Sequence, residues 1–173
     1  MEKIISTNYD VKELFEHYSD MIYRIAMSYG NSVPFAEDAV QEVFLRYLRK
    51  KPQFENREHE KAWFIRVTVN YCKSMVSSAW LKRVCSLENA EQITVPFHQQ
   101  EENELYEMLS GLAPKYRIVL YLRYYEEYQV QEIAEILGIT PNLVSARLLR
   151  AKKLMKQKLL TEREEFQDGT RTV

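Results

Sequence analysis

The stretch Gln129–Lys158, QVQEIAEILGITPNLVSARLLRAKKLMKQK, reads as two short helices meeting at a tight turn. Leu137-Gly138-Ile139-Thr140-Pro141 punctuates it. Gly138 is suited to the left-handed conformation that ends a helix. Thr140 is a good N-cap, and Pro141 falls at the first helical position, where a missing N–H costs nothing. Ala134 is small and lies one turn before Gly138, where a second helix can cross closely. Val144, Leu148, Ala151 and Met155 repeat at helical spacing and are expected to face inward. Asn142, Ser145, Ala146, Arg147, Leu149 and Arg150 are left towards the outside, with Lys152, Lys153 and Lys156 beyond them. From Pro141 to Leu160 there are six Lys/Arg and no acid. A helix with short polar residues at its N-terminal end and cations further on is what a DNA-reading helix-turn-helix requires. The bland alternative, a helical hairpin with a solvated basic face, leaves the agreement of cap, turn glycine, crossing alanine and one-sided charge unexplained.

Working outward, 173 residues allow one or two domains, and an apolar fraction of 46% is enough for a buried core. Four glycines and long periodic segments favour an all-α chain. The net charge of −1 hides its distribution. Glu42–Arg83 holds ten Lys/Arg against four acids, whereas Val84–Glu107 holds six glutamates and neither Lys nor Arg. Two basic segments in an acidic background predict two separate contacts with a polyanion. Cys72 and Cys85 lack metal-ligand spacing, and the histidines are scattered, so no metal site or cofactor is expected and reduced thiols of a cytoplasmic protein are. The N-terminal residues lack an apolar run, and no segment has the length of a membrane span, so no membrane insertion is expected. No phosphate loop or nucleophile–base pair points to an enzyme.

The periodicity predicts a first helix over Val11–Tyr29, whose apolar face includes Leu14, Phe15, Tyr18, Ile22, Ile25 and Ala26. Ser32 is placed to cap a second helix, Pro34–Lys50, which buries Ala36, Val40, Val43, Phe44, Tyr47 and Leu48. Asp38, Gln41, Glu42, Arg46 and Arg49 lie off that stripe, acids first and bases last, as the helix dipole favours. Lys51–Glu60 is a polar loop around Phe54. A third helix, His59–Leu81, carries Ala62, Trp63, Ile65, Val69 and Cys72 among its apolar positions. Val84–Gln100 lacks helical period and reads as a linker that could span about 55 Å when extended. Glu101–Leu112 and Lys115–Glu126 are a fourth and a fifth helix, and Thr161–Val173 is a polar, frayed tail. The domain division is therefore 1–83, a linker over 84–100, and 101–173.

FAEDAVQEVFLRYL from Phe35, AWFIRVTVNYCKSMV from Ala62 and the helix-turn-helix, in this order, resemble the extracytoplasmic-function sigma factors of bacterial RNA polymerase. These are small proteins of two helical domains, regions 2 and 4, with no catalytic chemistry. The resemblance spans about Leu14 to Leu160. It implies binding to core polymerase, direction of that enzyme to promoter DNA, and help in opening the duplex. It places Asp38, Gln41 and Glu42, with Arg46 and Arg49, against a coiled coil of the largest polymerase subunit. It matches the loop and third helix to the part that handles single-stranded minus-ten DNA. There Asn70 is the base-reading amide, Arg66 and Lys73 hold phosphates, and Lys61 and Phe54 lie near the rim. Trp63 is read as core rather than as a stacking platform.

In the second domain the resemblance puts Pro141–Lys158 in the major groove of duplex DNA at the minus-thirty-five element. Asn142, Ser145, Arg147 and Leu149 then serve at bases, and Arg150, Lys152 and Lys153 at phosphates. An anti-sigma protein is a family-based expectation. The chain departs from the family pattern at Ser74, Ser77, Gln129, Asn142-Leu143 and Ser145, so promoter preference does not carry over. Two other readings compete, a free-standing DNA-binding regulator and a helical protein-interaction module without DNA contact.

Overall fold

The computed structural model describes residues 11–30, 32–85, 109 and 111–169. Among them there are helices and no strands. The chain divides into two compact units, Met1–Pro96 and Phe97–Val173. The expected linker from residue 86 onward and nearly all of the expected fourth helix lie outside the described residues.

In the first unit α1 (Val11–Gly30), α2 (Val33–Lys50) and α3 (Arg57–Cys85) pack on one another. Ser32 occupies the N-cap of α2 in extended backbone, without a side-chain cap bond. Lys51 ends that helix in left-handed conformation, φ 43°, with its N–H donating to the Tyr47 carbonyl at 2.8 Å. Asn56 caps α3, its Oδ1 accepting the His59 N–H at 2.8 Å, so the polar loop is shorter than expected and the helix begins at Arg57. Ile22, Ile25, Ala36, Val43, Phe64, Ile65, Val69 and Cys72 are sealed from solvent. Burial at this level contributes about 1.5–3 kcal/mol for each large side chain.

Phe64, not named among the expected apolar positions, is the centre of this core. It stacks with Tyr18 at 4.5 Å and Tyr47 at 5.6 Å. Trp63 is only half-buried, set edge-on to Phe64, Tyr47 and Phe54. Thr68 is buried by returning its hydroxyl to the Phe64 carbonyl at 2.7 Å. Glu60 is also buried, its Oε1 accepting the Tyr18 hydroxyl at 2.7 Å. Leu48, expected in the core, is 43% exposed, and Ala39 takes a place in the α2 stripe instead. Phe15 is also exposed, touching Phe44 across 5.1 Å.

The second unit contains α4 (Pro114–Leu120), a π-type turn (Tyr121–Tyr125), α5 (Val130–Leu137) and α6 (Pro141–Gly169). The single helix expected over Lys115–Glu126 is thus an α-helix that widens into the π-type turn. Glu127 follows in left-handed conformation, φ 60°. Gly138 ends α5 at φ 65°, and Thr140 Oγ1 accepts the Leu143 N–H at 3.3 Å to open α6 at Pro141. Ile133, Ala134, Ile136 and Leu137 of α5 are buried, as are Val144, Leu148 and Ala151 of α6. The polar tail expected to be frayed from Thr161 is helical through Gly169.

Candidate functional site

On α3, Arg66, Asn70 and Lys73 are all exposed. Their spacing of four and three residues puts them in one row, opposite the buried Phe64–Ile65–Thr68–Val69–Cys72 side. Trp63 lies one turn before Arg66 at the end of the same row, half-buried against the Tyr47, Phe54 and Phe64 rings. The two residues expected near the rim of this site do not join the row. Phe54 is 6% exposed, inside a ring cluster with Tyr47, His59 and Trp63, so it anchors the loop and offers no face to a base. Lys61 is half-buried and shares its side of the helix with Ile65 and Thr68, four and seven residues on, which puts it away from Asn70.

On α2, Asp38, Gln41 and Arg49 are exposed, whereas Glu42 and Arg46 are partly covered because they bind each other. Arg46 Nε lies 2.8 Å from Glu42 Oε1, and its guanidinium carbon is 5.5 Å from the Tyr71 ring centroid on α3. Burial first, and then the Asp38 and Glu42 carboxylates, push the Tyr71 hydroxyl above the usual phenol range. Glu42, Arg46 and Tyr71 therefore tie the acidic face of α2 to the helix that carries Asn70. Two leucines were not foreseen on this face. Leu45, 44% exposed, stands one turn from Gln41, Glu42 and Arg49, and Leu48 lies beside it. The signal was available, since an apolar residue at the centre of a polar face breaks the helical pattern.

On α6, Asn142, Ala146, Leu149 and Lys153 form the outermost line, with Ser145, Arg150 and Lys152 exposed around it. Leu149 is 73% exposed, an extreme value for an aliphatic side chain. Arg147 is half-buried. It lies three residues after Val144 and four before Ala151, both sealed, so it stands on the flank and not at the reading tip. Ala146, outward but given no role from sequence, belongs to the centre. α5 opens with the Gln129 N–H donating to Glu132 Oε2 at 2.7 Å, the half of a capping box in which an acid on the third helical residue satisfies the N-cap residue's own donor.

Among the described residues no helix is long and apolar enough to cross a membrane.

Two family models match the chain, sigma-70 region 2 over residues 14–82 and sigma-70 region 4 over residues 102–155. The chain is similar to the RNA polymerase sigma factor SigV of Bacillus subtilis (strain 168), 32% identical over 148 residues, 85% of this chain and 89% of that one. It is also similar to the ECF RNA polymerase sigma factor SigX of the same organism, at 24% identity over 90% of this chain and 86% of the relative. The sigma factor RpoE of Bartonella quintana, solved in complex with the anti-sigma factor NepR, shares the fold with a TM-score of 0.72 at 19% identity, over 86% of this chain and 95% of that one. CnrH, solved with the cytosolic domain of CnrY, shares it with a TM-score of 0.62 at 19% identity, over 87% and 88%. With both region models matched in order and a relative of this identity along nearly the whole length, the chain belongs to the extracytoplasmic-function sigma factors, non-enzymatic proteins that direct RNA polymerase to promoters and start transcription.

Proposed function

We propose that α3 and α6 are the two promoter-reading helices of this sigma factor and that α2 is its polymerase-docking helix. One observation carries the reading: among the described residues each unit turns a cationic helix face outward with an asparagine in it, Asn70 on α3 and Asn142 on α6. On α3, Arg66 and Lys73 bind phosphates of the separated minus-ten strand, and Asn70 reads an extruded base. On α6, Asn142, Ser145 and Leu149 meet base edges of the minus-thirty-five duplex, and Arg150, Lys152 and Lys153 bind its phosphates. Arg147 supports these contacts from the flank. Asp38, Gln41 and Arg49, with Leu45 and Leu48 among them, dock on the coiled coil of the largest polymerase subunit, while Glu42 and Arg46 brace that face against α3. Residues 1–83 act as region 2, 84–100 as a linker, and 101–173 as region 4. The chain works in the cytoplasm, where polymerase and promoters are. An anti-sigma protein is a further proposed partner, supported by the complex in which RpoE of Bartonella quintana was solved. In vitro transcription with core polymerase, followed by start-site mapping across genomic fragments, tests the whole reading. Starts sharing two spaced elements are expected, and core polymerase giving the same starts without the chain would refute it.

A further inference from the structure

We propose that Tyr124 is a positioning residue for DNA binding, its ring holding Lys152 towards the phosphate strand beside the groove that α6 enters. The proposal rests on the reading of α6 as the groove helix. Lys152 Nζ lies 5.2 Å from the centroid of the Tyr124 ring, within the range of a cation–π contact. Tyr124 remains 56% exposed, so it serves no core. The segment that carries it is held from several sides. After α4 the backbone widens into the π-type turn Tyr121–Tyr125, a departure from α-helix that is common at functional sites. Tyr121 and Tyr125 stack at 5.1 Å, and the Tyr121 hydroxyl donates to Glu126 Oε1 at 2.6 Å. Arg123 Nη1 donates to the Tyr128 carbonyl and to Gln129 Oε1, each at 3.1 Å. Residues on both sides of Tyr124 are thus fixed, and the ring lands on α6.

Lys152 stands eleven residues beyond Pro141, about 16 Å along the helix. At that depth a side chain meets the sugar-phosphate backbone rather than base edges. A lysine stem is flexible, and holding it on a phosphate costs rotamer freedom. The Tyr124 ring removes part of that cost before DNA arrives, and it leaves the ammonium its charge and its donors. Tyr124 therefore acts through Lys152.

The test uses the full chain assembled with core polymerase, on a duplex promoter fragment carrying the minus-thirty-five element found by start-site mapping. Tyr124→Leu is expected to weaken binding about two- to five-fold. Tyr124→Phe keeps the ring and should bind as the parent does. In a Lys152→Ala background, Tyr124→Leu should cost nothing further. Lys152→Ala should lower the salt slope by about one unit, and Tyr124→Leu should leave it unchanged, because the same phosphate is still neutralised. Parent-like binding of Tyr124→Leu, an equal loss with and without Lys152, or a loss in Tyr124→Phe as large as in Tyr124→Leu would each overturn the proposal. Arg150→Ala and Lys153→Ala separate the two levels. If neither weakens binding, the placement of α6 in the groove fails; if both do while Tyr124→Leu does not, only the role of Tyr124 fails.

Discussion

Leu149→Ala separates folding from promoter reading more sharply than any other single change on α6. Leu149 is 73% exposed, so its removal should leave unfolding free energy within about 0.5 kcal/mol of the parent. In the complex the same side chain would be pressed into the major groove. Losing three carbons, each contributing about 0.8 kcal/mol when sealed from water, sets an upper limit of about 2.4 kcal/mol. Half-sealing gives about 1.2 kcal/mol, so the expected loss of affinity is about 8- to 60-fold. The loss should concentrate on one or two base pairs, since Leu149 stands about 10 Å along the helix from Asn142, roughly three base-pair steps. The assay is selection of promoters by holoenzyme from a library randomised across the minus-thirty-five element, beside chemical unfolding of the free chain. An unchanged selected motif with unchanged affinity would refute the orientation of α6 argued above. A large drop in stability would show that Leu149 belongs to the core.

The double variant Asp38→Ala, Gln41→Ala should lose affinity for core polymerase with little change in stability, since both side chains are exposed; pull-down with core polymerase and chemical unfolding together decide it. Asn70→Ala should slow promoter opening more than closed binding, and permanganate reactivity equal to the parent's on a duplex promoter would count against the base-reading role. Left-handed backbone gives a pair of opposite stability effects. Glu127→Gly at φ 60° should stabilise the second unit by up to about 1 kcal/mol, whereas Gly138→Ala at φ 65°, where an added Cβ meets nothing within 4 Å, should destabilise it by about 1 kcal/mol from backbone strain alone. Thermal unfolding followed by near-ultraviolet dichroism checks the two signs. Burial pushes the Cys72 thiol up to about 12 from 9.0. The unfolded thiol therefore ionises first and lowers stability as pH rises from about 9 to 12, a contribution to the alkaline slope that Cys72→Ala should remove, leaving that of the raised Tyr47 and Tyr71 hydroxyls.

The helix-turn-helix was legible because everything that defines it is local. Gly138, Thr140 and Pro141 act on their own backbone, and Val144, Leu148 and Ala151 declare the inner face through a period of 3.6. The same logic recovered α1 and α2 to within a residue at either end, and it set Asp38 and Gln41 outward. On α3 the period fails, because Trp63, Phe64, Ile65, Val67 and Val69 put apolar side chains on every side of the helix. Which of them faces inward was decided by partners far along the chain: the Tyr18 and Tyr47 rings select Phe64, and Trp63 is left at the margin. Tertiary packing likewise drew Phe54 into the ring cluster and left Leu48 outside. It also paired Arg46 with Tyr71, 25 positions apart, and Tyr124 with Lys152, 28 apart. Sequence by itself fixed the elements whose free energy comes from neighbours within one or two turns. Contacts between side chains that meet only after the helices pack have no local signature, and for these the tertiary structure alone decided the partner.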